Sequence, residues 1–505
     1  MTDTMSEDFF EGIDYTGGSS SISPPDEDYS TDDPNAGEVS ALPVQECALP
    51  LEPQPRPITL RAGLYFDGTG NNRYNVTEGK EARKRGEDTS DWSDSYQSDL
   101  SNVALLHNLY LPYEGVDDDI PIYIEGIGTR TGGADDPISS AGGGSGWHPR
   151  FGYTLPGVRA KVQWGYTELV NQARARYKSS GASEISRLQI DAFGFSRGAA
   201  AARNFIWEAR EGKAPLEARL GDITGSFKIE FMGLFDTVAA LGTLNQDNDW
   251  QQLGLGSTRH ATYCVHLAAA EEYRYGFALN PIDKGQTTGF EAFLPGAHSD
   301  VGGGYNEVAE EKSIAFSTRN WLFNGAAARV EDRNWLIESG WYKPGQIVLH
   351  GGGVVTKVHR KRVYGYYGRL PMQLMATFAQ EHGVVYDTSK LSQRRYRIHP
   401  DLTWLYGILM DHCRATEGGG ASTPDQWIEW DDYRAGWLRN TYLHMSANYD
   451  MEFVMRPYWV TEGARLAKRW RRYIGANGPM DGPEPAQIDW SEEQCLPEDD
   501  AGEGA

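Results

Sequence analysis

The hydrophobic run Arg187-Leu-Gln-Ile-Asp-Ala-Phe193 passes without a linker into Gly194-Phe-Ser-Arg-Gly198 and then into four alanines, Ala199–Ala202. A strand that stops at a glycine-flanked serine and restarts at once as a helix needs a tight, strained turn, and the glycines remove side chains that would clash there. The rest of the chain repeats the alternation. Ile58–Phe66 reads as a strand halted by the turn cluster Asp67-Gly-Thr-Gly-Asn-Asn72, and Pro121–Ile124 reads as a second, followed by a glycine-rich stretch reaching Gly146. Val158, Val162, Tyr166, Leu169, Val170 and Ala173 share one helical face. Phe227–Phe235 and Gly289–Leu294 complete the strands, whereas the stretch around His266 reads as helical. Strands alternating with helices predict an α/β fold, a mainly parallel sheet flanked by helices, with its chemistry at the carboxyl ends of the strands.

Charge separates this body from its ends. Residues 1–56 hold 13 acids and one base, and residues 475–505 hold nine acids and none, so the two ends carry −21 of the formal −24. Such segments bury too little apolar surface to offset their ordering entropy, so an acidic disordered arm (1–56) and an acidic tail (475–505) are expected. A nucleic-acid partner is not expected without an overall positive field. Four scattered cysteines form no disulfide framework and no metal spacing. The first residues show no basic and apolar leader, and no apolar run reaches the ~18 residues that would span a bilayer. The body divides into a catalytic domain over 57–310 and a helical cap or C-terminal region over 311–474. Trp459–Ile474 reads as a basic amphipathic helix, packed on its own domain or touching membrane. Trp321, Trp335, Trp341 and Trp404 suit either lipid contact or an aromatic core.

A serine nucleophile needs a base, and the base needs an orienting acid, in the chain order Ser, acid, His for an α/β-hydrolase. Ser196 is followed by Asp236, at the end of Phe227–Phe235, and by His298, after Gly289–Leu294 in Pro295-Gly-Ala-His-Ser-Asp-Val-Gly-Gly-Gly-Tyr305. Each has a plainer reading: Ser196 as a helix cap, Asp236 as a cap before Thr237, His298 as a turn residue. His444 is the rival base and Asp300 the rival acid; His266 is expected to be structural. The oxyanion donors are expected at the N–H of Arg197 and at the glycine turn near Gly68. Asp67 as a phosphatase nucleophile is disfavoured because Thr69 stands where a second aspartate belongs. No metal site and no cofactor are expected.

With these residues in hand, the chain resembles the first family of type VI secretion lipase effectors. The marks are Leu64-Tyr-Phe-Asp-Gly-Thr-Gly-Asn-Asn72, Gly194-Phe-Ser-Arg-Gly198, Gly233-Leu-Phe-Asp-Thr-Val238 and Pro295–Tyr305, in that order. The resemblance implies an α/β-hydrolase variant with Ser196 as nucleophile, Asp236 as acid and His298 as base. It also implies a phospholipase A1 or A2 acting on membrane phospholipids after secretion from the producer's cytoplasm into a rival's periplasm. A VgrG-type spike protein and a cognate immunity protein are the implied partners. The alternatives are an esterase on non-lipid esters and a non-catalytic adaptor.

Overall fold

Six runs of aliphatic and aromatic residues form one parallel sheet in the computed structural model: β1 (Ile58–Phe66), β2 (Asp118–Ile124), β3 (Ile185–Phe195), β4 (Phe227–Phe235), β5 (Ala261–Ala269) and β6 (Gly289–Leu294). The described residues are 54–113, 115–136, 157–239, 249–317, 333–350, 355–449, 455–462 and 467–475. The acidic arm before residue 54, the acidic tail after Gly475, the glycine-rich stretch at 137–146 and Trp321 lie outside them. Strand order is β2-β1-β3-β4-β5-β6. The chain therefore builds outward from β1 to β2 and then returns to add β3 on the other side. That reversal opens a crevice beyond the carboxyl ends of β1 and β3, where ligands bind in such sheets.

Both faces of the sheet are covered, so its strands are apolar on both sides. Leu60, Ala62, Leu64 and Phe66 pack with Val162, Tyr166 and Phe205 from the helices Val158–Ser180 and Arg197–Glu211. Tyr65 points the other way and stacks on Phe193 of β3 at 4.8 Å, in the cluster that holds Leu105, Phe378 and Leu409. Those three come from the helices Asn102–Leu109, Arg369–Glu381 and Thr403–Glu417. One buried ion pair crosses β1 and β3: Arg61 grips Asp191 through Nε at 2.7 Å and a second nitrogen at 3.0 Å.

Three expectations are corrected. His266 lies on β5, not on a helix: the alanines around it favour helix, but a run buried on both sheet faces between β4 and β6 takes the strand. The span read as a basic helix at Trp459–Ile474 holds two antiparallel strands instead, β10 (Trp459–Glu462) and β11 (Ala467–Trp470). Val460, Thr461 and Gly463 are weak in helix interiors. Beyond residue 310 the chain also adds more than helices, an antiparallel sheet of β7 (Ala309–Ser317), β8 (Ile347–His350) and β9 (Val355–Val363). Trp341 is buried there, and Trp335 packs between Tyr273 and Trp470, an aromatic core. Among the described residues no helix is long and apolar enough to cross a membrane.

Candidate active site

Among the described residues only two non-glycine residues adopt positive φ, Ser196 at 59° and Asp236 at 40°. Each immediately follows the last residue of a central strand, β3 or β4. Strain of this kind persists only where the surroundings enforce it, and it gathers at functional sites. At Ser196 the cause is visible. A Cβ on Gly194 would stand 2.5 Å from Ala199 Cα, and one on Gly198 would stand 2.2 Å from the Asp67 carbonyl oxygen. Only glycines let the helix Arg197–Glu211 begin that close to its own strand and to the end of β1. The Ser196 hydroxyl caps none of the helix N–H groups, so the plain capping role does not hold it. Its N–H donates to the Phe235 carbonyl at 3.1 Å, which fixes the serine turn one residue from Asp236.

Asp236 is fully buried and its oxygens are shared out. Oδ1 accepts the Ala269 N–H at 2.8 Å, and Oδ2 meets His298 Nδ1 at 2.6 Å. No helix follows it through residue 239, so it is not a helix cap. The His298 ring rests against Phe195 at 4.6 Å and Phe277 at 5.1 Å. Phe195 is the residue before Ser196, so the three expected residues are gathered at one end of the sheet. Burial lowers the His298 pKa below the ordinary histidine value, opposed by the Asp236 carboxylate. Burial alone would raise Asp236; the Arg472 guanidinium and the His298 bond outweigh it, and the carboxyl sits at about 2.

The rivals are occupied elsewhere. His444 Nδ1 meets Asp300 Oδ1 at 2.8 Å, and Asp300 Oδ2 accepts the N–H groups of His444 at 2.9 Å and Ala297 at 3.0 Å. This pair ties the turn before His298 to the distant segment Leu443–Ser446. His266 bonds Glu291 at 2.9 Å through Nδ1, and its Nε2 accepts the Thr237 N–H at 3.0 Å, bracing the turn beside Asp236. Asp67 is buried and accepts from Ser101 at 2.5 Å, Tyr123 at 2.5 Å and the Gly68 N–H at 2.7 Å. Gly68 is thus corrected as an oxyanion donor, because its N–H is spent on the neighbouring carboxylate. Arg197 is the first residue of its helix. Its side chain donates to Thr69 Oγ1 at 2.7 Å, locking the 67–70 turn onto the serine turn.

Reasoning from sequence missed two cations. Arg472 comes from beyond β11 and stands 3.2 Å from Asp236 Oδ2. Arg274 grips Glu272 at 2.8 and 2.9 Å, and Glu272 in turn accepts the His298 N–H at 3.2 Å. No spacing or motif could connect residue 472 to residue 236; for Glu271-Glu272, acidic residues next to an apolar run were the only signal. A cavity of about 460 Å³ opens beside the site, bounded by Thr69, Asn71, Asp94, Asp135, Ser299 and Tyr305 among others. Thr69 touches Arg197 and Ser299 follows His298, so the cavity borders the strained turn without containing it. Among the described residues no group of three or more metal-ligating side chains occurs.

A family model described as the catalytic domain of T6SS, phospholipase effector Tle1-like, matches residues 213–325. That match spans under a quarter of the chain, so it is a likeness to the Tle1-like catalytic domain over this stretch. The match to the Tle1-like domain contains Asp236 and His298, and Ser196 precedes it. A solved structure of the Tle1 effector bound to the VgrG spike from the type 6 secretion system is similar at 24% identity, over 84% of this chain and 92% of that one, with a TM-score of 0.52. At that identity the likeness shows a shared fold alone. A crystal structure of an uncharacterized protein from Pseudomonas aeruginosa aligns at 20% identity over 74% of this chain and 52% of its own, but its TM-score of 0.36 is too low to support a shared fold. No curated protein matches the chain.

Proposed function

We propose that the chain hydrolyses acyl esters of membrane glycerophospholipids through Ser196, His298 and Asp236. The observation that carries this reading is the convergence of strain and hydrogen bonding. The two strained residues neighbour each other through the Phe235 carbonyl, and one of them holds the His298 ring by Nδ1. In the proposed reaction Ser196 Oγ attacks the ester carbonyl while His298 Nε2 takes its proton. Asp236 accepts the Nδ1–H and balances the imidazolium. The N–H of Arg197, the residue after the nucleophile, stabilises the tetrahedral oxyanion. His298 returns the proton to the leaving lysolipid alcohol, and water then releases the fatty acid from the serine ester.

The cavity beside the site is lined by polar side chains, Asp94 and Asp135 among them, and by glycines, with no Lys or Arg among the described lining residues to meet a phosphate headgroup. Delivery into a rival's periplasm on a VgrG-type spike, with an immunity protein guarding the producer, belongs to the same reading. The test is to incubate the full chain and Ser196→Ala with diacyl phospholipid and identify the products by mass. Fatty acid and lysolipid from the wild type alone support the reading, and the retained acyl position tells A1 from A2. Equal hydrolysis by both proteins overturns it. The polar cavity also favours a second reading, an esterase for soluble esters; activity on short monomeric esters with none on micellar lipid would select it.

A further inference from the structure

The last described segment of the chain enters the site. Residues after β11 are pinned to the stretch that follows β5: the Leu279 N–H donates to the Tyr473 carbonyl at 2.9 Å and the Gly475 N–H returns to Leu279 at 2.8 Å. On the other side of Arg472 the Arg471 N–H donates to the Tyr458 carbonyl at 3.0 Å, and between that bond and Tyr473 the Arg472 side chain, like that of Asp236, has no solvent exposure. The guanidinium stands 3.2 Å from Asp236 Oδ2, the same oxygen that meets His298 Nδ1. None of its three nitrogens makes an aligned hydrogen bond among the described residues. Burying a cation without hydrogen bonds is costly unless opposite charge compensates it. The compensation is local, from Asp236 and from Glu272.

We infer that Arg472 is a positioning residue for Asp236, sharing the acid's negative charge with His298 and holding the acid ionised in a dry site. The inference rests on the proposed serine mechanism. Its chemical consequence concerns the base. Every group that faces His298 contributes: Asp236 and Glu272 favour its protonated form, Arg274 disfavours it, and Phe195 and Phe277 exclude water from it. Asp300, on the same turn, is engaged by His444. Arg472 draws on the Asp236 charge and so weakens its grip on the imidazolium. His298 therefore stays neutral, and able to take a proton, to lower pH than an Asp–His pair alone would permit.

The experiment compares full-length wild type, Arg472→Gln, Arg472→Met and Arg472→Lys on diacyl phospholipid micelles from about pH 5 to about pH 9, with thermal unfolding of each. With the charge removed, the acid limb of kcat/KM should move upward by about one pH unit. The Lys variant, which keeps the charge, should stay near the wild type. An unmoved limb in either folded neutral variant overturns the inference, as does a Lys variant shifted as far as the neutral ones. Failure of both neutral variants to fold also overturns it, by making Arg472 a structural residue. Ser196→Ala is assayed alongside. If it hydrolyses like the wild type, the serine mechanism fails; if it is inactive while the limb stays put, only the role of Arg472 fails.

Discussion

Asp236→Asn isolates the relay while changing almost no volume. The carboxylate now serves three neighbours: Ala269 N–H on Oδ1 at 2.8 Å, His298 Nδ1 on Oδ2 at 2.6 Å, and Arg472 at 3.2 Å from Oδ2. An asparagine that keeps its oxygen on Ala269 presents an NH2 to His298 and to Arg472. Donor then faces donor. The imidazole relieves this only by moving its proton to Nε2, the nitrogen that has to accept from Ser196. The wrong-tautomer penalty is ~10⁴ in kcat, or about 5.4 kcal/mol of barrier. Flipping the amide restores the His298 bond but sets NH2 against the Ala269 N–H, which costs roughly 1–3 kcal/mol for an unsatisfied buried donor. Arg472 also loses its closest counter-charge, and breaking a buried pair costs about 3–5 kcal/mol of stability. The variant should therefore fold with a lowered Tm, bind micelles with little change in KM, and release fatty acid at ~10³–10⁴ lower kcat. A natively folded Asn variant with kcat within about tenfold of wild type would refute the relay.

Three further outcomes are expected. Because burial holds His298 below its ordinary pKa, its neutral form persists below pH 6.5, so the acid limb of kcat/KM should have its midpoint under that value; a midpoint above about pH 7 counts against His298 as the base. Gly198→Ala places a Cβ 2.2 Å from the Asp67 carbonyl oxygen and 2.4 Å from that of Phe66, both backbone atoms, so urea unfolding should register a loss of about 1–3 kcal/mol and hydrolysis should fall as the serine turn shifts. Arg61→Met strands Asp191 inside the sheet and should cost about 3–5 kcal/mol near neutral pH, and the deficit should shrink in acid as Asp191 protonates; kcat of the folded fraction should stay within a few-fold of wild type.

What could be read from the sequence was whatever the chain writes locally. The strand at Ile58–Phe66, the serine turn and the glycine-rich loop after His298 all advertise themselves through runs of apolar residues that end abruptly in glycine or in polar residues. Those endings are the carboxyl ends of parallel strands, so Ser196, Asp236 and His298 were legible as a group. β5 was not, because Cys264-Val-His-Leu-Ala-Ala-Ala270 is short and alanine-rich, and only its neighbours β4 and β6 decide its conformation. The pairing of β10 with β11 was hidden by an accidental helical stripe in the same residues. Gly68 was misjudged for a different reason. Its backbone freedom was legible, but the claim of Asp67 on its N–H depends on Ser101 and Tyr123 fixing that carboxylate from other elements.

Among the described residues three buried histidines lean on carboxylates, so a His–carboxylate contact by itself does not define a base. His266 has both nitrogens engaged, Nδ1 by Glu291 and Nε2 by the Thr237 N–H, and so has no lone pair left for a proton. His444 Nε2 has no hydrogen-bond partner among the described residues, but its acid also braces two backbone N–H groups and its ring is stacked under Tyr305 at 3.6 Å. What separates His298 is the company of its acid. Asp236 is one residue from the carbonyl that holds Ser196, and it shares with Ser196 the strained backbone found at no other described non-glycine residue. His266 stabilises that turn from one side and the Asp300–His444 pair fixes the His298 turn from the other. The two histidines that do no chemistry in this scheme thus supply the rigidity that a proton relay between separate strand ends requires, because a misplacement of ~1 Å costs about 10²-fold in rate.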